Sequence, residues 1–466
     1  MTTAFQELMR IRNLDLPEEG EVTITGADPV IPAKFKVGEV SASVLAGVGV
    51  AVTDIHELKT GERQTVNLDV RQAAAAMRSG TYMSRPAADG GWERSPMTPK
   101  REHARAMTQP WQCKDGRWFL AHFNLPHLQK RVLGVLGCGP DLEEIDKAMA
   151  RRDAQELEDL VNEARACGSV VRSSEEWLAH PHGAQLSAKP VITIEKISDS
   201  DPIPFPEGPR PLSGIRALDL TRILAGPIAA RTLAENGADV LMVTAEHLPQ
   251  VMEHVMDTGH GKRSCFLDLK DAEQFKTFMG LVQNADVFSQ GYRPGIMEGL
   301  GLGPSELAEK RPGIVYLSID CYGAGGPLSH RAGWEQVAQA ASGICMASGE
   351  PGRPRLLPAA VCDYTTGYNG AYGVLLALAR RAREGGSYHV RVSLCQSAMF
   401  IQRQGQVAIP DPKIDIADEE LEAIMEADET GYGPLKHLKP IIKMPKTPPY
   451  WERPAPALGA DAPVWL

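Results

Sequence analysis

Through the middle of the chain, short apolar runs alternate with longer segments of helical period. Residues 215–220 (IRALDL) and 239–243 (DVLMV) are runs of strand length. Between them GPIAARTLAENG keeps a helical spacing, with Pro227 near its start and Gly237 at its end, where helices begin and stop. A strand, helix, strand unit of this size predicts a parallel pair joined by a right-handed crossover. Further strands are predicted at 264–269 (SCFLDL), 285–290 (ADVFSQ) and 313–319 (GIVYLSI), with helices near 271–283 and 304–310. This alternation predicts an α/β fold: a doubly wound parallel sheet of Rossmann-like type.

Two proline-rich stretches read as extended surface connectors, because proline fixes φ and removes a donor. One runs from Pro190 through Pro202, Pro204, Pro206, Pro209 and Pro211, and the other from Pro440 to Pro463. The acidic run 415–429 places Leu421, Ile424 and Met425 at helical spacing, which predicts a solvated helix with one apolar stripe. Residues 39–77 can also be laid on 363–401 at a constant offset of 324, where Gly49/Gly373, Val50/Val374, Gly61/Gly385, Val66/Val390, Gln72/Gln396 and Ala74/Ala398 coincide. Both segments read as a small-residue helix, a charged Gly turn, an apolar strand (TVNLDV; HVRVSL) and a further helix. That shared pattern predicts a degenerate internal duplication.

Composition narrows the function. A chain of 466 residues with 43% hydrophobic and 23% charged residues is an ordinary globular protein of about three domains. Its net charge of -10 argues against a nucleic-acid partner held by a broad basic surface, but leaves room for one anionic ligand in a local basic pocket. The N-terminus MTTAFQELMRIRNLDLPEEG has no basic-then-apolar signal segment, and the apolar runs read as shorter than a bilayer span. Eight cysteines without a C-x-x-C pair point to free thiols in a reducing compartment, so the expected setting is cytoplasmic, with no membrane partner.

The turn after the first strand of the α/β segment reads DLTRILAGP, not G-x-G-x-x-G, so a nicotinamide dehydrogenase is not indicated. G-x-S-x-G, H-E-x-x-H and the P-loop pattern are also missing. His247, His254 and His260 are spaced by seven and six, which does not bring all three together on a helix face, and no metal is expected. Several motifs do stand in order: LSGIRALDLTRILAGPIAARTLAENGADV, GKRSCFLDLK, ADVFSQGYRPGIMEGLGLG, IVYLSIDCYGAGGP and AVCDYTTGYNGAYGVLLAL. Together, over about 210–403, they resemble the class III CoA-transferases, a family that also holds carnitine and formyl-CoA transferases and the α-methylacyl-CoA racemases.

The resemblance implies that Asp363 is the nucleophile. A carboxylate attacking an acyl-CoA thioester forms a mixed anhydride, and the released thiolate then captures the aspartyl carbonyl, dividing one hard transfer into easier steps. From its place before YTTGYNGAYGVLLALARR, Asp363 also reads as a helix N-cap, where free N–H groups can hold a carboxylate or oxyanion. Motif position suggests CoA contacts at Arg222, Ile223 and Ala225 in the first βα turn, Leu267 and Lys270 in LDLK, and Tyr292 and Arg293 in GYRPG, with Lys262 and Arg263 as further candidates. Two arginines common in the family are missing, since Thr244 and Ala245 occupy one area and Gly299 the other. Trp334 stands where the racemases carry a catalytic His; its indole is a donor only and cannot remove an α-proton, so it counts with the CoA-contact residues. Glu335 is implied as a polar partner of the nucleophile.

The order of the parts is unusual. Residues 86–190 resemble the family's smaller α+β domain, which ordinarily follows the catalytic half. Two trimmed, fused copies account for this: a partial duplicate over 1–85, a small α+β domain over 86–190, a Pro-rich linker over 191–211, a CoA-binding catalytic domain over 212–410, and an acidic helix with an extended tail over 411–466. Glu39 falls at the position of Asp363 under the repeat and reads as a capping or vestigial acid. The expected activity is CoA transfer between an acyl-CoA and a small carboxylic acid, with CoA as substrate and covalent intermediate, and the family implies a homodimer. An acyl-CoA isomerase or racemase, and a non-catalytic acyl-CoA-binding subunit, remain as alternatives.

Overall fold

The computed structural model describes residues 2–94, 97–409, 411 and 413–466, so the expected boundary at 410 falls outside it. The N-terminal part contributes a parallel pair, β1 (Val22–Thr25) and β2 (Val66–Asp69), on either side of a 24-residue helix, Val37–Thr60. A hairpin follows, β3 (Ser84–Pro86) and β4 (Trp92–Arg94), then a small antiparallel sheet of β5 (Pro110–Gln112), β6 (Trp118–Ala121) and β7 (Gly168–Val170). The small sheet and its helices enclose a core of their own around Phe119, Phe123, Val132, Met149 and Leu157.

The main sheet holds β8 (Ile192–Ser198), β9 (Arg216–Asp219), β10 (Asp239–Thr244), β11 (Lys262–Phe266), β12 (Val287–Gln290), β13 (Val315–Asp320) and β14 (Ser387–Ser393). Its order is β11-β10-β9-β12-β13-β14-β8, parallel throughout except for β8 at the edge. The six parallel strands thus have the 3-2-1-4-5-6 order of a doubly wound sheet, with a crevice between β9 and β12 where the winding reverses. The α/β prediction holds.

Three local expectations are corrected. The start of the Pro-rich linker is an edge strand: residues 192–198 pair antiparallel with β14, because ITIEKIS precedes most of the prolines and can complete the ladder. The acidic run is not one helix. It gives a single turn at Asp418–Glu422 and then a strand, β15 (Met425–Thr430), which pairs with β16 (Gly433–Leu438). Crowded carboxylates at 418–422 favour a helix start but repel along a longer one. That hairpin joins β3 and β4 in a four-stranded sheet, so part of the tail is ordered against residues 84–94. The predicted strand 264–269 begins two residues earlier, which places Lys262 and Arg263 inside it.

The two segments laid on one another at the offset of 324 form matching elements. Helix Val361–Glu384 has the length of Val37–Thr60 and lies at the same offset of 324. In each, a glycine lets the helix press on the strand that follows: a Cβ on Gly49 would meet Val66 Cγ1 at 2.5 Å, and one on Gly373 would meet Val390 Cγ1 at 2.6 Å. The next helix is capped at matching positions, by Asp69 accepting from Gln72 N–H and by Ser393 accepting from Gln396 N–H. The two long helices pack on one another, and Tyr372 donates its hydroxyl to the Leu8 carbonyl, so one continuous core runs from Phe5 and Leu8 through Leu375 to Phe400. Val37–Thr60 is, by length and composition, apolar enough to cross a membrane, contrary to the reading of short apolar runs. It is almost wholly buried in this core, a setting in which an all-round apolar helix is stable without lipid.

Lys262 decides how the first βα turn is held. Its ammonium is fully buried and donates to Asp219 Oδ2 at 2.8 Å and to the Pro227 carbonyl at 2.9 Å, linking the end of β9 to the following helix. Replacing it with Met leaves the Asp219 carboxylate buried and unpaired, and we expect Lys262→Met to lower unfolding free energy in urea by about 3–5 kcal/mol.

Candidate active site

The crevice between β9 and β12 is where a doubly wound sheet presents its strand ends to a ligand. Arg222, Ile223 and Ala225 follow β9, and Tyr292 and Arg293 follow β12, so five of the expected contact residues converge there. The turn after β9 is tightly held. Asp219 accepts from the N–H and hydroxyl of Thr221, and Ile223 sits at φ 74°, a left-handed conformation costly for a β-branched residue. Gln290 similarly accepts from Tyr292 N–H at 2.8 Å.

The small domain brings further cations. Arg131, from helix Pro126–Leu136, donates to the Arg165 carbonyl at 2.7 Å, and Arg293 donates to the same oxygen at 3.1 Å. Arg222 donates to the Pro249 carbonyl. Among the described residues none of Arg131, Arg165, Arg222 and Arg293 is paired with a carboxylate. His127 registers the convergence: burial, then the charges of Arg131, Arg222 and Arg293, push its imidazole down. The result is an uncompensated positive patch suited to phosphate.

The other expected contacts behave differently. Leu267 packs in the apolar core beside Phe278 and Val282, leaving only its backbone at the strand end, and Lys270 is exposed. Lys262 and Arg263 are structural. Lys262 lies under the turn as described, and Arg263 pairs with Asp239 at 2.9 Å and bonds the Val464 carbonyl. Beyond β10 and β11, where a family arginine is missing, an open cleft of ≈ 360 Å³ is lined by Ala245, Glu246, His247, Phe266, Asp268 and Gln274. Its two acids make it a poor phosphate site. The positive patch at the crevice is the better one.

Asp363 and Glu335 form a buried pair next to the small domain. Asp363 is the third residue of helix Val361–Glu384, whose N-cap is Ala360, so it is not the cap. Glu335 takes that role from another helix, Glu335–Ser342: its carboxylate accepts from Asp363 N–H at 2.6 Å and Cys362 N–H at 3.1 Å, and from the Gln339 amide at 2.7 Å. The N–H groups expected to face a ligand are thus already used. The Asp363 carboxylate accepts no hydrogen bond among the described residues and is 8% exposed. Burial, then the charge of Glu335, pushes it well above the usual aspartate range. Burial also raises Glu335, opposed by its three donors. Glu335 therefore keeps the charge, and Asp363 takes the proton first.

Trp334 joins the two clusters. Its indole stacks on His122 of the small domain, with centroids 5.5 Å apart, and its buried Nε1–H has no hydrogen-bond partner among the described residues. The buried Cys167 thiol lies beside both groups: burial pushes it up to about 11, against the opposing influence of Arg293, Trp334 and Arg131. One turn after Asp363, a Cβ on Gly367 would meet the Ala225 carbonyl at 2.5 Å, so the Asp363 helix is pressed against the helix that begins at the crevice. The carboxylate pair and the positive patch are thus linked through Trp334, Cys167 and this helix contact.

Comparison with known proteins identifies the family. The sequence matches CoA-transferase family III over residues 17–203 and 212–409. The chain belongs to that family. It is 36% identical to an acetyl-coenzyme A transferase of Hypoxylon pulicicidum over 64% of this chain and 56% of that one. It is 34% identical to an acyl-CoA transferase of Gibberella moniliformis over 78% of this chain and 70% of the relative. Its match therefore spans little more than half the length of the first relative. The crystal structure of the Mycobacterium tuberculosis protein Rv3272 aligns over 42% of this chain and 58% of its own, with 33% identity and a TM-score of 0.40. Within this family III chain, the patch residues that sequence reading missed are Arg131 and His127. The run HLQKR marks a basic segment, but nothing in its spacing directs it to the end of a distant sheet.

The raised pKa of Asp363 has a stability consequence. A group that binds its proton more tightly when folded adds stability at low pH and loses it as pH rises through the folded value. Asp363→Asn removes that burden, so it is expected to melt at a higher temperature than the parent at pH 8 and at the same temperature near pH 4, measured by calorimetry.

Proposed function

We propose that this chain is a CoA-transferase that moves CoA between an acyl-CoA and a small carboxylic acid, with Asp363 as the nucleophile. The observation that carries the proposal is the buried Asp363 carboxylate, free of hydrogen bonds among the described residues, on a helix pressed against the one that begins at the crevice. The ionised carboxylate attacks the thioester carbonyl, the C–S bond breaks, and CoA leaves as thiolate. The thiolate then attacks the aspartyl carbonyl of the mixed anhydride and expels the donor acid, leaving an aspartyl-CoA thioester. An acceptor carboxylate attacks this thioester, and the same two steps in reverse deliver its CoA ester and restore Asp363.

Arg222, Arg293 and Arg131 hold the CoA phosphates in this reading, and Arg131 stands in for the family arginines missing at Thr244–Ala245 and Gly299. Ile223, Ala225 and Tyr292 frame the carrier beside them. The unpaired Trp334 Nε1–H supplies a hydrogen bond to the developing oxyanion, because the N–H groups of residues 362 and 363 are taken by Glu335. Glu335 orients the helix start and, as a like charge, keeps Asp363 a stronger base than a solvated aspartate. The N-terminal 85 residues are read as a partial second copy of the Val361–Arg403 segment that completes the core of the first. Eight free thiols accord with a cytoplasmic setting, and a homodimer is proposed on family grounds.

Asp363→Ala is expected to abolish exchange and to eliminate a hydroxylamine-sensitive CoA adduct seen by intact mass with acyl-CoA, while leaving the circular dichroism spectrum unchanged; near-parental exchange would rule out the assignment. Arg131→Ala and Arg293→Ala are each expected to raise KM for acyl-CoA about tenfold, equivalent to roughly 1.4 kcal/mol, with little change in kcat and a weaker dependence on salt.

A further inference from the structure

A second polar cluster lies away from the transfer site, where the tail folds back on the main sheet. His260 precedes β11, His437 lies on β16 and Asp428 on β15. One donor atom from each lies within 4.8 Å of the others. Both imidazoles are fully buried, their ring centroids 3.7 Å apart, and Trp451 covers them at 5.3 and 5.6 Å. The Asp428 side chain is 41% exposed and gives the cluster a route to solvent.

The hydrogen bonds on the far side of each ring determine what the near side offers. His260 Nδ1 lies 2.9 Å from the Asp257 carbonyl, and His437 Nδ1 lies 3.2 Å from the Leu438 carbonyl. A carbonyl oxygen only accepts, so each neutral ring carries its proton on Nδ1 and leaves a bare lone pair on Nε2. His260 Nε2 is buried without a partner among the described residues, and His437 Nε2 faces Asp428 Oδ2 at 3.1 Å. With both rings neutral and protonated on Nδ1, three lone-pair donors face one another with no hydrogen between them. Such a cluster is unfavourable by itself, since a buried acceptor is left unsatisfied and a carboxylate opposes a lone pair. A cation relieves both. Rings anchored through Nδ1–H to carbonyl oxygens, with Nε2 free, are the usual setting of metal-bound histidine. The neighbouring cations are already balanced: Arg231, over Trp451, by Asp257, Lys262 by Asp219 and Lys436 by Glu422.

We propose that His260, His437 and Asp428 bind one divalent transition-metal ion of the zinc type, with a water as further ligand, and that the ion clamps the β15–β16 hairpin to the main sheet. Two imidazoles and one carboxylate are a borderline donor set, suited to Zn²⁺ or Co²⁺ and unsuited to Ca²⁺ or Mg²⁺. The site is independent of the transfer chemistry.

The test uses the full chain, stripped with chelator and titrated with Zn²⁺ by calorimetry and with Co²⁺ by visible absorption. One equivalent of Zn²⁺ should bind, raise the melting temperature in a concentration-dependent way, and be replaced by Co²⁺ with d–d bands of nitrogen and oxygen ligation. Asp428→Asn, a change at a half-exposed position, should weaken Zn²⁺ binding at least tenfold while the metal-free melting temperature stays near the parent's; His437→Asn should remove binding. No binding of Zn²⁺ by the folded parent, or undiminished binding in both variants, overturns the site. So does a His437 ring that NMR finds doubly protonated against Asp428 at neutral pH in the presence of Zn²⁺, since a proton would then occupy the place assigned to the metal.

Discussion

Glu335 reaches across from its own helix to accept the N–H groups of Cys362 and Asp363, and the centre of the molecule is organised around those bonds. Helix Val361–Glu384 is buried over most of its length, and its N-cap residue, Ala360, has no side chain able to satisfy the first turn. Buried N–H groups without partners are costly, so some acceptor must be brought in. A carboxylate is the strongest available, and its charge suits the helix N-terminus. The same choice puts two acids side by side. Glu335 is stabilised by three donors and Asp363 by none, which leaves Asp363 basic and unsolvated.

The N-terminal part repeats this solution with different residues. Asp28 accepts from Gly38 N–H at 3.1 Å and from Glu39 N–H at 2.7 Å, at positions that match 362 and 363 under the offset of 324. Glu39 therefore occupies the Asp363 position with its N–H held by a second carboxylate, as in the catalytic helix. Its side chain, unlike that of Asp363, is paired with Lys36 at 3.3 Å. The cap is a property of the repeated unit. The unpaired carboxylate belongs to one copy only.

The positive patch is divided between domains for a related reason. Strand ends at the reversal of the sheet supply Arg222 and Arg293, but the places where two more arginines are usual hold Thr244, Ala245 and Gly299. Helix Pro126–Leu136 adds Arg131 from the small domain, held with Arg293 by the Arg165 carbonyl. Because the cations share a carbonyl oxygen and not a carboxylate, they are positioned without being neutralised. A net negative chain thereby keeps a positive patch.

Much of this was legible in residue order. The alternation of apolar runs determined the doubly wound sheet, the offset of 324 matched two helix–strand–helix segments, and the motif around Asp363 pointed to the buried carboxylate proposed as nucleophile, because all three depend on spacings of a few residues or on contiguous motifs. The strand of 192–198 and the division of 415–429 were not legible, since each depends on a distant strand to pair with. Tertiary structure alone decided that Glu335 caps the Asp363 helix, that Arg131 meets Arg293 at the Arg165 carbonyl, and that His260 meets His437 and Asp428 while His247 and His254 do not join them. Local periodicity is written in the chain because side-chain direction repeats with the backbone. Convergence of remote charges depends on how whole elements pack, and no spacing along the chain records that.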